Sequence, residues 1–282
     1  MGVAQNYDLE IENVAVHFEV SATTDLGRTR RVNEDSFVAV PPVFVVADGM
    51  GGHAHGDRAS QAVAGVFHAL GSESTIPSVA RVLEAVRTAD TIVQGIGGEA
   101  VAGTTLAGVA LTRDPETGTV HWMAFNIGDS RVYRWHGSQL TQLSVDHSAV
   151  QELVDQGLLA PDAAMQHPER NVITRAIGVG TNSEPDVWLL PADGEERFLI
   201  CSDGLTKELD DAAIQLVLNF DTGGGDRSTS DRLIEAALAA GGADNVTAIV
   251  VSVNVLKTGR ALNDSQGAAR LPAHLEETLP RA

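Results

Sequence analysis

The chain changes hydrophobic rhythm several times. "VAVHFEV" (14–20) follows a polar, acidic lead-in and predicts the start of a strand. "DSFVAV" (35–40) and "VFVVAD" (43–48) are short apolar runs rich in β-branched residues and read as strands. From Asp57 the spacing lengthens. Ala59, Ala62, Val63, Val66, Phe67 and Leu70 recur at three- and four-residue steps, which predicts an amphipathic helix closed by Gly71. Val79, Val82, Leu83, Val86, Ile92, Val93 and Ile96 form a second stripe, ending in "GIGG". Strand rhythm returns in "GTTLAGVALT", "TVHWMAFNIGD" and "SRVYRWHGSQLTQL", with turns at "DPETG" and "HG".

Residues 148–170 are polar and partly helical, and predict an inserted flap. "RFLICSDG" and "NVTAIVVSVNV" read as two further strands, with helices at "DDAAIQLVLNF" and "DRLIEAALAAGG" between them. Like elements come in runs, so the order predicts an α+β fold rather than alternating βαβ units. From about Leu256 small and charged residues take over. The expectation is one domain over 1–255 and a flexible tail over 256–282.

Composition narrows the classes. Apolar residues make 43% of the 282 and aromatics only 4%, so aliphatic side chains must fill the core. The formal charge is −19, from 38 acids against 19 bases, a field that repels nucleic acid and anionic membranes. No apolar run of about 18 residues is present, and "MGVAQNYDLE" is too acidic for a signal peptide. Cys201 is the one cysteine, which removes internal disulfides and a cysteine-based zinc site. Cytoplasmic residence and a monomer are the default expectations.

The strand ends carry the chemistry. "VFVVAD" ends on Asp48 before Gly49, "MAFNIGD" on Asp129 and "RFLICSD" on Asp203, while "GGAD" puts Asp244 just before a strand. "RVNED" sets Glu34 and Asp35 where another strand begins. A lone Asp beside Gly is ordinarily a turn residue. Carboxylates repeated at strand ends instead form a cluster that needs cations, and an all-oxygen set suits Mg²⁺ or Mn²⁺. A glycine after a ligating Asp lets its own carbonyl approach the same ion. The rival reading takes "GMGGHA" as a dinucleotide loop. It sets Asp48 against a pyrophosphate and lacks the second βαβ strand.

Taken in order, "TDLGRTRRVNEDS", "VVADGMGGHAHGDRAS", "GTTLAGVAL", "NIGDSRVYR", "DHS", "ITRAIG", "FLICSDGL" and "GGADNVTAIVV" resemble the bacterial branch of the protein phosphatase 2C family, over about residues 15–255. The resemblance implies a four-layer α/β/β/α sandwich, with a central antiparallel β-sandwich flanked by helices and a two-metal site at one edge. It implies that Asp48 bridges two Mg²⁺ or Mn²⁺ ions, that Gly49 lends its carbonyl, and that Asp203 and Asp244 bind the first ion. Glu34 supports the second, Asp35 orients a water, and Asp129 matches a third, weaker metal position of some members. Arg30 holds the phosphate and His53 is a candidate general acid. The implied activity is hydrolysis of phosphoserine and phosphothreonine in proteins without a phosphoenzyme, with phosphoproteins and a Ser/Thr kinase as partners. A same-fold hydrolase of a non-protein phosphoester stays open at this point, and so does a non-catalytic phosphopeptide-binding regulator.

Overall fold

The computed structural model describes residues 4–11, 14–51, 55–96, 102–164, 166–180, 183–220 and 227–257. Two antiparallel sheets lie face to face. The first orders its strands β1 (Gln5–Ile11), β2 (Val14–Asp25), β12 (Val246–Lys257), β11 (Gly194–Cys201), β8 (Arg131–His136) and β9 (Gln139–Gln142). The second runs β10 (Asp186–Pro191), β7 (Val120–Ile127), β6 (Leu106–Arg113), β4 (Val43–Met50) and β3 (Asp35–Val40), and the short β5 (Gly103–Thr104) pairs with β4.

Period-two alternation sorts each central strand between two cores. In β4, Phe44 and Val46 enter the core between the sheets, while Val43, Val45 and Ala47 face the helices α1 (Gly56–Gly71) and α2 (Val79–Gln94). In β11, Phe198 and Ile200 point between the sheets. Leu199 and Cys201 face α6 (Asp211–Asn219) and α7 (Thr229–Ala240). Burial on both faces is why these strands read as continuous apolar runs. The predicted four layers are present: helices, sheet, sheet, helices.

The few aromatics are concentrated between the sheets. Phe18 packs 5.8 Å from Phe44 and 6.2 Å from Trp122, and Trp122 lies 5.3 Å from Phe198. The flap holds two short helices, α3 (Ala149–Asp155) and α4 (Pro161–Ala164), and Ser148 caps the first by accepting from the Gln151 N–H. A single helical turn, α5 (Asp203–Thr206), follows β11.

Two strands escape the sequence reading. β1 falls in the stretch read as a lead-in, because Asp8 and Glu10 sit among Tyr7 and Leu9, which pack on the core. β10, "DVWLLP", pairs with β7 at the sheet edge. β12 runs through Lys257, two residues past the expected domain boundary at 255. The rest of the expected tail lies outside the described residues. Among the described residues no helix is long and apolar enough to cross a membrane.

Candidate active site

The alternation that builds the cores also aims the acids. In β4 the even positions face between the sheets, so Asp48 continues the row of Phe44 and Val46 to the strand's end. In β3 the odd positions Phe37 and Ala39 do the same, which puts Asp35 on that face. The β3–β4 register then sets Asp35 directly opposite Asp48. Like charges across a strand pair are destabilising, so other groups must hold them there. Ser202, just past the end of β11, and Thr247 in β12 of the opposite sheet both donate to Asp35 Oδ2, at 2.8 and 2.6 Å. Asp48 is fixed through its backbone: its N–H donates to Thr105 Oγ1 at 2.9 Å, and its carbonyl accepts from the Thr104 hydroxyl at 2.9 Å.

Asp203 arrives at the start of α5, and Asp244 in the turn before β12. Asp129 lies between β7 and β8, just after Gly128, whose φ of 105° suits glycine. Glu34 and Arg30 belong to the loop before β3. That loop is pinned by Asn245, whose side chain accepts from the Glu34 N–H and donates to the Leu26 and Val32 carbonyls. Arg30, Glu34, Asp48, Gly49, Asp203 and Asp244 line one cleft of about 410 Å³. Asp129 lines a neighbouring cleft of about 420 Å³ under the flap, and Asp203, Lys207 and Asp244 belong to both. Seven of the residues expected at the site, Glu34 to Asp244, thus meet at one end of the sandwich with Arg30. His53 lies outside the described residues.

Packing alone calls for glycine at position 49. A Cβ there would come 2.2 Å from the Gly56 carbonyl oxygen and 2.6 Å from the Glu34 carbonyl oxygen. Three backbone segments cross at this point, and the Gly49 N–H donates to the Glu34 carbonyl at 3.1 Å.

The electrostatics are those of acids held together against their charge. Burial, then Asp35 and Asp203, push the Asp48 carboxyl well above its ordinary range. Burial, then Asp203 and Asp146, do the same to Asp129. Burial pushes Asp35 up to about 6, against the pull of its two hydroxyl donors. Burial also raises Glu34, against the pull of Arg30. Asp244 goes the other way. Burial would raise it, but the hydrogen bond from Arg30 and the charge of Lys207 prevail and hold it low.

Two cations now serve the cluster. Arg30 grips Asp244 with two nitrogens, at 2.8 and 2.9 Å. Lys207 sets its ammonium 2.5 Å from Asp203 Oδ2 and 3.3 Å from Asp244 Oδ2. With these cations in place, no three His, Cys, Asp or Glu side chains among the described residues close on a common point for a metal. The donors nonetheless fit divalent ions. Asp35 Oδ1, Asp129 Oδ1 and Asp203 Oδ1 are buried with no hydrogen-bond partner, a cost that an ion or its waters would remove. The set is all oxygen, as Mg²⁺ and Mn²⁺ prefer.

Three groups here are not evident from the sequence. Thr104 and Thr105 hold Asp48, Ser202 and Thr247 hold Asp35, and Lys207 balances Asp203. The only trace is polar residues where the apolar strand runs end. His147 of the "DHS" motif is buried and accepts from the Gly128 N–H through Nδ1 at 3.0 Å. It therefore orients the Asp129 turn and the root of the flap.

Known proteins resemble the chain in sequence and in fold. The family model described as protein phosphatase 2C matches residues 30–223. The Ser/Thr protein phosphatase PstP of Mycobacterium tuberculosis is 36% identical over 253 residues, covering 85% of this chain and 46% of its own length. The chain thus spans about half the length of this relative. The Ser/Thr phosphatase stp of Listeria innocua is 32% identical over 253 residues, covering 84% of this chain and 96% of its own. Among solved structures, the PstP catalytic domain in complex with two manganese ions superposes with a TM-score of 0.73 at 33% identity, covering 85% of this chain and 99% of that one.

Proposed function

The chain belongs to the protein phosphatase 2C family, and we propose that it hydrolyses phosphoserine and phosphothreonine in proteins, using two divalent ions held at the strand-end acids. The observation that carries this reading is the Asp35–Asp48 cross-strand pair, met from the other sheet by Asp203 and Asp244. In it, Asp48, Asp203 and Asp244 hold the ions, with Gly49 and Glu34 in support. A pair of Mg²⁺ or Mn²⁺ ions supplies activation of water and Lewis-acid stabilisation of the phosphoryl group.

The chain's own residues do the rest. Arg30 is exposed at the cleft mouth, and its planar fork can leave Asp244 and take two phosphoryl oxygens. Asp35 is locked by Ser202 and Thr247 with Oδ1 unspent, so it can accept a hydrogen bond from a water and orient it. His53 is the proposed proton donor to the leaving alkoxide, a role that suits an imidazolium, which a histidine can carry near neutral pH. Cys201 is fully buried and faces α6 and α7, and burial pushes its thiol up to about 12, which supports a route without a cysteine nucleophile.

The catalytic domain is proposed to run to the end of β12. Phosphoproteins, a Ser/Thr kinase among them, are the proposed partners and the cytoplasm the proposed site of action. The test is Mn²⁺-dependent release of phosphate from a phosphothreonine peptide. Asp48→Asn is expected to lower the rate by roughly 10²–10³-fold or more, the scale of losing one transition-state charge group. Turnover of p-nitrophenyl phosphate without any phosphothreonine peptide would favour a small phosphoester substrate. Absence of Mn²⁺-dependent turnover in the parent would sink the enzyme reading.

A further inference from the structure

Lys207, the C-cap of the single turn α5, follows Asp203 by four residues, and its N–H donates to the Asp203 carbonyl at 2.8 Å. That i, i+4 relation returns the long side chain over Asp203. Its ammonium then rests against Asp203 and Asp244, in the wall shared by the two clefts. On the far side of that wall is Asp129, buried, with Oδ1 unpartnered. Lys207 and Asp129 line the same cleft under the flap. Arg131 stands nearer in sequence but serves another acid: it binds Asp146 through Nε at 2.9 Å and Nη2 at 2.7 Å.

Six carboxyls meet here: Glu34, Asp35, Asp48, Asp129, Asp203 and Asp244. On the two-ion reading above, two divalent ions joined by Arg30 and Lys207 match that charge without any further cation. A divalent ion between Asp129 and Asp203 would have to share the space with this ammonium and be repelled by it. We propose that Lys207 supplies, from the chain itself, the positive charge that a third divalent ion would bring to Asp129 and Asp203, so that the loaded protein holds two divalent ions and not three. When ions load onto Asp48, Asp203 and Asp244, the four-carbon stem lets the ammonium give up Asp244 and turn to Asp129. The acid set at the third position is therefore not a vacant metal site but an ion pair in reserve.

The test counts bound metal rather than activity: equilibrium dialysis against Mn²⁺ up to millimolar concentration, with metal and protein measured in the same sample. The wild type is expected to hold two Mn²⁺ per chain. Lys207→Gln is expected to hold three, and the third is lost again in the Lys207→Gln, Asp129→Asn double variant. Lys207→Arg keeps the count at two. Three ions in the wild type, or two in a folded Lys207→Gln, would overturn the proposal while leaving the two-ion reading intact. No bound Mn²⁺ in the wild type would overturn both. Should Lys207→Gln fail to fold by circular dichroism, Lys207→Met takes its place with the same expected counts: three ions support the lysine, and two in the folded variant overturn the proposal.

Discussion

Gly49 and Gly65 show how far a single Cβ can matter at the residue scale. At Gly49 an added Cβ would press on the carbonyl oxygens of Gly56 and Glu34, both backbone atoms, at 2.2 and 2.6 Å. The backbone must shift at the floor of the cleft, and Gly49→Ala is expected to cost about 3 kcal/mol or more. Gly65 lies inside α1 with nothing within 4 Å of the same added atom, so Gly65→Ala is expected to stabilise by about 0.5–1 kcal/mol. Urea unfolding of both variants checks the pair, and equal effects would contradict the crossing of backbones at Gly49. The sequence marks Gly49 through its place after Asp48. It cannot show that Gly56 and Glu34 crowd it, since those contacts arise only when the loop before β3 folds over the start of α1. Lys207 is silent for a similar reason. A lysine after "DGLT" carries no signal until α5 turns it back on Asp203.

Among the elements, the flap is tied to the sandwich by a half-buried polar knot. His147 Nδ1 accepts from the Gly128 N–H, and its Nε2 lies 3.1 Å from Asp186 Oδ2, at the start of β10, and 2.8 Å from Arg175 Nη1. Arg175, just past the flap, donates to Asp186 Oδ1 at 2.8 Å. Burial would raise Asp186, but His147 and Arg175 prevail and hold it low, in its acceptor form. His147→Ala strands the Gly128 N–H and is expected to destabilise by about 1–3 kcal/mol. Leu158→Ala, on a flap side chain that is 70% exposed, is expected to stay within about 0.5 kcal/mol. Chemical denaturation measures both, and an unchanged midpoint in His147→Ala would deny the knot. Most elements were legible because strands buried on both faces and amphipathic helices have distinct periods. The edge strands β1 and β10 were not. An edge strand buries less, so its pattern is diluted by outward acids such as Asp8 and Glu10.

For the whole molecule, the cost of gathering acids must appear in its stability. Asp35, Asp48 and Asp129 have folded-state pKa values raised by burial and by neighbouring carboxylates, Asp203 among them in each case, Asp35 to about 6. A raised carboxyl means the folded state binds protons that the unfolded chain has already lost. Its stabilising effect is full below the unfolded value near 4 and fades as pH rises through the folded value. Asp186 and Asp244 act oppositely, but only below about 4. Without divalent ions, therefore, stability is expected to fall as pH rises from about 4 through 6, by up to about 1.4 kcal/mol per pH unit for each proton involved. Saturating Mn²⁺ is expected to invert the slope, because ions require the acids deprotonated. Thermal melts across this range with and without Mn²⁺ check it. A slope of the same sign in both would assign the effect to the general acidity of a chain with net charge −19 instead.

The acids at strand ends were readable as a cluster from the sequence, but their partners were not. Asp35 depends on Ser202 and Thr247, 167 and 212 residues away, which only the facing of the two sheets brings near. The most direct test of the central claim is an anomalous difference map from crystals grown with Mn²⁺. Two peaks are expected among Asp48, Asp203 and Asp244, with the Lys207 ammonium moved off Asp244. A cleft without Mn²⁺ peaks, with Lys207 still joining Asp203 to Asp244, would contradict it.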